Sequence, residues 1–305
     1  MRKITLTNDF KRNRTSFEDA RTSFIKFCKL KNLAKPSLDY YDGHLKFFHK
    51  KVPVMYLDEI TQEAFDDFVF AQLEEGKRTT TINSQLRGLR VFFKFCAERD
   101  YFEGISIKLL KDDAELKEPY TDAELRKLLE RPKSNRWAEY RSWAMVNYLV
   151  ATGNRARTIV NIKISDVNFD ENTIHLRAMK NRHQQFIPLS PALKEVLEEY
   201  LSAWKWEFDD YLFPTYTGEK LSTRSFQQAI KKYNIARGVS KTSIHLFRHT
   251  FAKNFILAGG GLVQLQMLLG HSTLEMTRHY VNLYGADLSR DIERLNPLDN
   301  LKKAT

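Results

Sequence analysis

Leu268-Leu269-Gly270-His271-Ser272-Thr273-Leu274-Glu275-Met276-Thr277-Arg278-His279-Tyr280 is the stretch on which the reading of this chain turns. A helix runs into the stop at Gly270, a histidine follows, and Ser272-x-x-Glu275 has the form of a capping box that opens a helix ending at tyrosine. Upstream stand His245-Leu246-Phe247-Arg248 and Thr152-Gly153-Asn154-Arg155. One tyrosine among 13 carries little information. A tyrosine placed behind Arg155, Lys180, His245, Arg248 and His271 reads as a nucleophile aimed at a phosphate.

Working outward, the region before residue 100 is helical. Thr15-x-x-Glu18 reads as a capping box, and Phe17, Ala20, Phe24, Phe27 and Cys28 follow with helical spacing. Leu38, Tyr41, Leu45 and Phe48 make a second stripe after Pro36-Ser37. Thr61 opens a third, with Phe65, Phe68, Val69 and Leu73, which Gly76 ends. Ile82, Leu86, Leu89, Phe93 and Cys96 form a fourth. Four amphipathic helices make a small bundle over residues 1–107.

The charged, weakly patterned segment 108–119 reads as a linker, and Thr121-x-x-Glu124 caps the first helix of a second domain, 120–305. Strand-like runs follow at Ile162–Val167, Thr173–Ala178 and Gln185–Leu189, with Asn181 and Arg182 in the turn between the last two. Ser190-Pro191 opens another helix, and Gly259-Gly260-Gly261 separates two more. The expected fold is mainly α with a small antiparallel β-sheet in the C-terminal domain.

The chain has 305 residues, enough for two cores, with 49 Lys+Arg against 38 Asp+Glu. A net charge of +11 favours polyanions, nucleic acid first. Cys28 and Cys96 sit in aromatic-rich helical runs and read as core residues of a reducing, cytoplasmic compartment. There is no CxxC spacing and no apolar run long enough for a bilayer, so neither a metal cofactor nor a membrane is expected.

Attack on a phosphodiester builds negative charge on the non-bridging oxygens and requires a proton for the leaving oxygen. Guanidinium groups suit the first task, and Arg155 and Arg248 are the candidates. Lys180, at a hairpin tip, suits the second as general acid. His245 lies one helical turn from Arg248, so one face would present both to the same phosphate. His271, just past a helix stop, is placed to point into a cleft. Taken singly, each residue has a plainer reading: Arg155 a solvated helix residue, Lys180 an exposed turn, Tyr280 a packing residue. His245 and His249 could also hold a metal, but no third ligand is evident. Joint order and spacing favour the phosphate reading.

These boxes resemble those of the tyrosine recombinases, or phage integrase family. Thr152-Gly153-Asn154-Arg155 is similar to that family's first arginine box, and Met179 to Leu189 to its lysine hairpin. His245-Leu246-Phe247-Arg248-His249-Thr250-Phe251-Ala252 matches the His-x-x-Arg box, and Leu268 to Ser272 with Tyr280 the last one. The resemblance implies an N-terminal core-binding domain that binds DNA (1–107) and a catalytic domain with a C-terminal tail (120–305). It assigns Arg155, Lys180, His245, Arg248 and His271 to phosphate activation and proton transfer. Tyr280 becomes the nucleophile of a 3′-phosphotyrosyl intermediate that needs neither ATP nor metal. The implied partner is double-stranded DNA carrying recombination sites, bound by a homo-tetramer on paired sites, with monomer or dimer off DNA.

Lys77, Arg78, Thr79, Thr80, Thr81, Arg87 and Arg90 place donors at the start and on one face of the fourth helix, suited to phosphate contacts. Arg2, Lys3, Lys11, Arg12 and Arg14 could form a basic arm. Ile292, Leu295, Leu298 and Leu301 could pack on a neighbouring subunit or on the chain's own core. Thr158 stands where the family has an acidic residue, and Asn154 where it has an apolar one. The expected function is site-specific DNA recombination, for integration, excision or resolution. The alternatives are a DNA-binding regulator that keeps the fold without strand exchange and a topoisomerase-like enzyme that nicks and reseals.

Overall fold

The computed structural model describes residues 14–111, 118–134, 136–177 and 184–278. The chain divides into two compact units, Met1–Leu116 and Lys117–Thr305. The first is built from α1 (Phe17–Leu30), α2 (Lys35–Lys51), α3 (Gln62–Glu74) and α4 (Thr79–Ala97). Phenylalanine dominates its core. Phe17, Phe24, Phe48 and Phe92 are fully buried. Phe48 meets Phe68 edge-on at 5.0 Å between ring centroids and Phe93 at 5.5 Å, an arrangement the ring quadrupoles favour. Burial pushes the Cys96 thiol up to about 12, which makes it an inert core residue.

Several details differ from the sequence expectation. Ser16, not Thr15, caps α1: its hydroxyl accepts from the Asp19 amide at 3.0 Å, one residue along from the expected box. In α3 the stripe turns outward at its end. Leu73 is exposed while Gln72 is buried, its side-chain oxygen 3.2 Å from Lys77 Nζ. Leu109 and Leu110 pack on the first core, and Asn83 pairs with both backbone groups of Leu110 at 2.8 and 2.9 Å. The strip read as linker from residue 108 therefore starts as part of the first unit. Arg14 forms a two-pronged pair with Asp58 and reaches Glu59 at 2.9 Å, so it is engaged within its own unit. Arg2, Lys3, Lys11 and Arg12 lie outside the described residues.

The second unit contains α5 (Asp122–Leu129), α6 (Trp137–Thr152), α7 (Ala156–Ile159), β1 (Val167–Asn168), β2 (Thr173–Leu176), β3 (Gln185–Pro188), α8 (Pro191–Ser202), α9 (Thr223–Ala236), α10 (Ile244–Leu257) and α11 (Leu262–Leu269). The cap at Thr121 forms as expected: its hydroxyl accepts from the Glu124 amide, and the Glu124 carboxylate accepts from the Thr121 amide. Helix α6 is the central strut. It is buried on nearly every side and packs against α5, α8, α9 and α10.

The sheet is antiparallel in the order β1-β2-β3, with Ile174 opposite Ile187 and His175 opposite Phe186. Ile174 and Ile187 face the core, while His175 and Phe186 stack at 4.4 Å on the other face. The strand expected over 162–167 is not one. Ile164–Asp166 is a 3-10 turn, because the Asp166 carboxylate caps the Lys163 amide at 2.9 Å, and β1 is only two residues long. The backbone of 162–165 pairs instead with the segment 208–212.

Replacing Phe48 by alanine should remove the hub of the first core. Urea unfolding should show a loss of about 3–5 kcal/mol, as for other buried aromatic truncations.

Candidate active site

The site grows from two left-handed glycines. Gly153 ends α6 at φ +60°, and a Cβ there would lie 2.8 Å from the Phe251 ring of α10. Glycine is therefore required both for the turn and for the close approach. Gly270 ends α11 at φ +61°, with its amide on Met267 O and that of His271 on Gln266 O, the Schellman arrangement. The first turn releases Arg155 as the N-cap of α7, and the second releases His271.

Two guanidinium groups converge at the C-terminal end of α11. Arg155 NH1 donates to Gly270 O at 3.2 Å. Arg248, only 6% exposed, donates from NH2 to Leu269 O at 2.8 Å and from NH1 to Gly153 O at 3.0 Å. The negative end of the α11 dipole and its unsatisfied carbonyls thus hold two positive charges together.

His271 lies beside them, 8% exposed, with Nδ1 2.9 Å from the hydroxyl of Thr277. Burial, and then the positive charges of Arg248 and Arg155, push its pKa down to about 4, so it is a neutral hydrogen-bonding group near pH 7. His245 is exposed on α10, one turn before the buried Arg248. The two share a helix, but at very different depths. Lys180 and Tyr280 lie outside the described residues, as does the tail with Ile292, Leu295, Leu298 and Leu301.

Next to His271 opens a cleft of about 890 Å³, lined by the β3 residues Gln185 and Phe186 and by Gln266, Met267, Gly270 and Ser272. The Gln185 side-chain amide donates to Met267 O, tying the β2–β3 hairpin to α11. The expected Ser272 cap does not form. The helical turn at 275–278 is closed by Leu274 O, and the Ser272 hydroxyl points to Met276 Sδ at 3.8 Å.

The two departures at the first box have structural counterparts. Asn154 is buried just past the end of α6, and its side-chain amide donates to the hydroxyl of Tyr148 on that helix at 3.2 Å. The polar side chain is thus satisfied where an apolar one was expected. Thr158 is buried in α7, and its amide closes on Arg155 O at 2.8 Å. Arg155 draws support from the Leu269 and Gly270 carbonyls. Motif reading missed these acceptors because backbone carbonyls have no sequence signature. It also missed Thr277, which the capping-box reading of 272–275 passed over.

On the fourth helix of the first unit, Arg78, Thr80, Thr81, Arg87 and Arg90 are exposed, while Lys77 and Thr79 are half-buried. Lys77 is engaged by Glu75 at 2.9 Å and lies over the Phe47 ring. Arg90 NH2 donates to Ile107 O at 2.6 Å. Among the described residues no group of three or more His, Cys, Asp or Glu could hold a metal, and no helix is long and apolar enough to cross a membrane.

Residues 120–286 match the model of the phage integrase family. The chain belongs to that family, the tyrosine recombinases. It is 26% identical over 290 residues to the tyrosine recombinase XerC of Thermodesulfovibrio yellowstonii, covering 91% of this chain and 96% of that protein. A solved structure of the Tn1549 transposon integrase in complex with transposon right end DNA shares the fold, with a TM-score of 0.77 at 19% identity over 92% of this chain and 99% of that one. A lambda integrase tetramer bound to a Holliday junction is similar over 88% of this chain and 77% of that one, with a TM-score of 0.70 at 17% identity.

The depressed His271 pKa sets a pH dependence. A histidine whose folded pKa lies below its unfolded value near 6.5 contributes stability that is complete above about pH 6.5 and is lost as pH falls toward about 4. An NMR titration should show the His271 ring still neutral at pH 5.5, with thermal stability declining over that window. A ring that titrates near 6.5 would contradict the assigned environment.

Proposed function

We propose that this tyrosine recombinase cuts and rejoins DNA strands at specific sites through Tyr280. The observation that carries the proposal is the convergence of Arg155, Arg248 and His271 just past the end of α11, with His271 nine residues before that tyrosine. Two permanently charged forks and one neutral donor suit a phosphodiester whose non-bridging oxygens gain charge during attack.

In this mechanism the Tyr280 phenolic oxygen attacks phosphorus, and its proton passes to His245 as base. The O–P bond to the 3′-phosphate forms as the bond to the 5′-oxygen breaks. Lys180 protonates that leaving oxygen, giving a free 5′-hydroxyl. The 5′-hydroxyl of a partner strand then reverses the step, and the tyrosine is regenerated. The phosphotyrosyl bond retains the phosphodiester energy, so the cycle consumes neither ATP nor a cofactor.

The first unit, with its helical bundle, is assigned to binding the core of the DNA site. Arg78, Thr80, Thr81, Arg87 and Arg90, exposed at the start and along one face of α4, support this, with Lys77 and Thr79 at the edge of the same surface. A net charge of +11 supports the same partner. The Tn1549 integrase bound to transposon right end DNA supports double-stranded DNA as the substrate, and the lambda integrase tetramer bound to a Holliday junction supports a homo-tetramer as the assembly on paired sites.

Offered duplex DNA of its attachment site, nicked close to the cleavage position, the wild-type protein should accumulate a protease-sensitive covalent adduct. Tyr280→Phe should bind the same DNA and form none. Tight binding by wild type with no adduct would sink the strand-exchange assignment.

A further inference from the structure

Thr277 is fully buried in the short helical turn that precedes Tyr280 by three residues. Its backbone amide is bonded to Leu274 O at 2.9 Å, which fixes the turn. Its hydroxyl lies 2.9 Å from His271 Nδ1, and among the described residues that is the one partner the hydroxyl has.

This geometry selects a tautomer. If Nδ1 carried the imidazole proton, it would donate to Thr277 Oγ1, and the hydroxyl proton would be buried with no acceptor among the described residues. If Nδ1 is the acceptor, the hydroxyl proton is satisfied, and only an oxygen lone pair is left over. An unmet buried donor costs about 1–3 kcal/mol, whereas a spare lone pair costs little. The Thr277 hydroxyl is therefore the donor, and the imidazole proton resides on Nε2.

From this we infer that Thr277 is a positioning residue for the recombination reaction: its hydroxyl fixes His271 as the neutral Nε2–H tautomer and ties that ring to the turn that leads to the nucleophile. The inference rests on the proposed role of His271 as a donor to the scissile phosphate. A ring fixed in this way offers the phosphate an N–H and never presents a lone pair to it. The nearby Arg155 and Arg248 supply full charge, so the histidine contributes direction rather than charge. The link also makes the geometry of His271 depend on the 275–278 turn being formed, so that phosphate activation and nucleophile placement share one small element.

Two measurements test it. On the free full-length protein, a long-range proton–nitrogen NMR spectrum of the His271 ring should show Nε2 protonated and Nδ1 bare in wild type and in Thr277→Ser. A wild-type ring protonated at Nδ1 would overturn the inference without touching the assignment of Tyr280. On nicked attachment-site DNA, Thr277→Val, which keeps shape but loses the hydroxyl, should form the adduct about 10- to 100-fold more slowly, the range typical when an orienting partner is removed. Thr277→Ser should restore most of the rate. Should the valine variant fold poorly, Thr277→Ala serves in its place, judged against the serine rescue. Wild-type rates in a folded variant that lacks the hydroxyl would refute the positioning role. Absence of any adduct from wild type would instead refute the function on which the inference builds.

Discussion

The site depends on one constraint: two guanidinium groups, those of Arg155 and Arg248, meet at the same turn at the end of α11. Like charges brought close together repel, and the repulsion grows as burial removes solvent screening. The chain offsets this with backbone. The carbonyls of Leu269 and Gly270, at the negative end of α11, accept from Arg155 and Arg248, and Gly153 O accepts from Arg248 as well. Both left-handed glycines serve this arrangement, one by freeing Gly153 O at the close approach to Phe251, the other by ending α11 where its carbonyls face the arginines. Arginine is the suitable cation because it stays charged when buried and offers several fixed donors. A phosphate oxygen is the natural ligand for a pair held in this way.

His271 follows from the same constraint. A ring buried beside two fixed cations is pushed toward neutrality, to about 4, and a neutral imidazole is useful here only if its proton is on the correct nitrogen. The Thr277 hydroxyl, 2.9 Å from Nδ1, is the group placed to set it. The buried arginines, His271 and the 275–278 turn therefore form one coupled unit, in which a change at any member is felt at the others.

Much of this was legible in the sequence, and the exceptions share a cause. Helices with a wide apolar stripe and a side-chain cap, such as those opened by Thr61, Thr121 and Ser190, form where expected because both signals are local. The cap at Ser16 rather than Thr15 is a choice between neighbouring hydroxyls that only the packing of Phe17 decides. The run 162–167 has strand composition, but the Asp166 carboxylate competes for the Lys163 amide and turns the chain. Arg155, Arg248 and His271 were legible as types at fixed spacing. Their partners were not, since those of the two arginines are backbone carbonyls, 114 and 115 residues from Arg155 and 95 and 21 from Arg248, and a carbonyl has no sequence signature.

The central claim is that Arg248 serves to neutralise charge developing on the phosphate. It is tested most directly by removing that charge from the DNA. A site carrying a methylphosphonate at the scissile position replaces one charged non-bridging oxygen with a methyl group. Arg248→Ala, folded by circular dichroism, should cleave the natural phosphodiester far more slowly than wild type, and most of that deficit should vanish on the methylphosphonate. A deficit of the same size on both substrates would mean that Arg248 only braces Gly153 and Leu269, and the account of the site would be wrong.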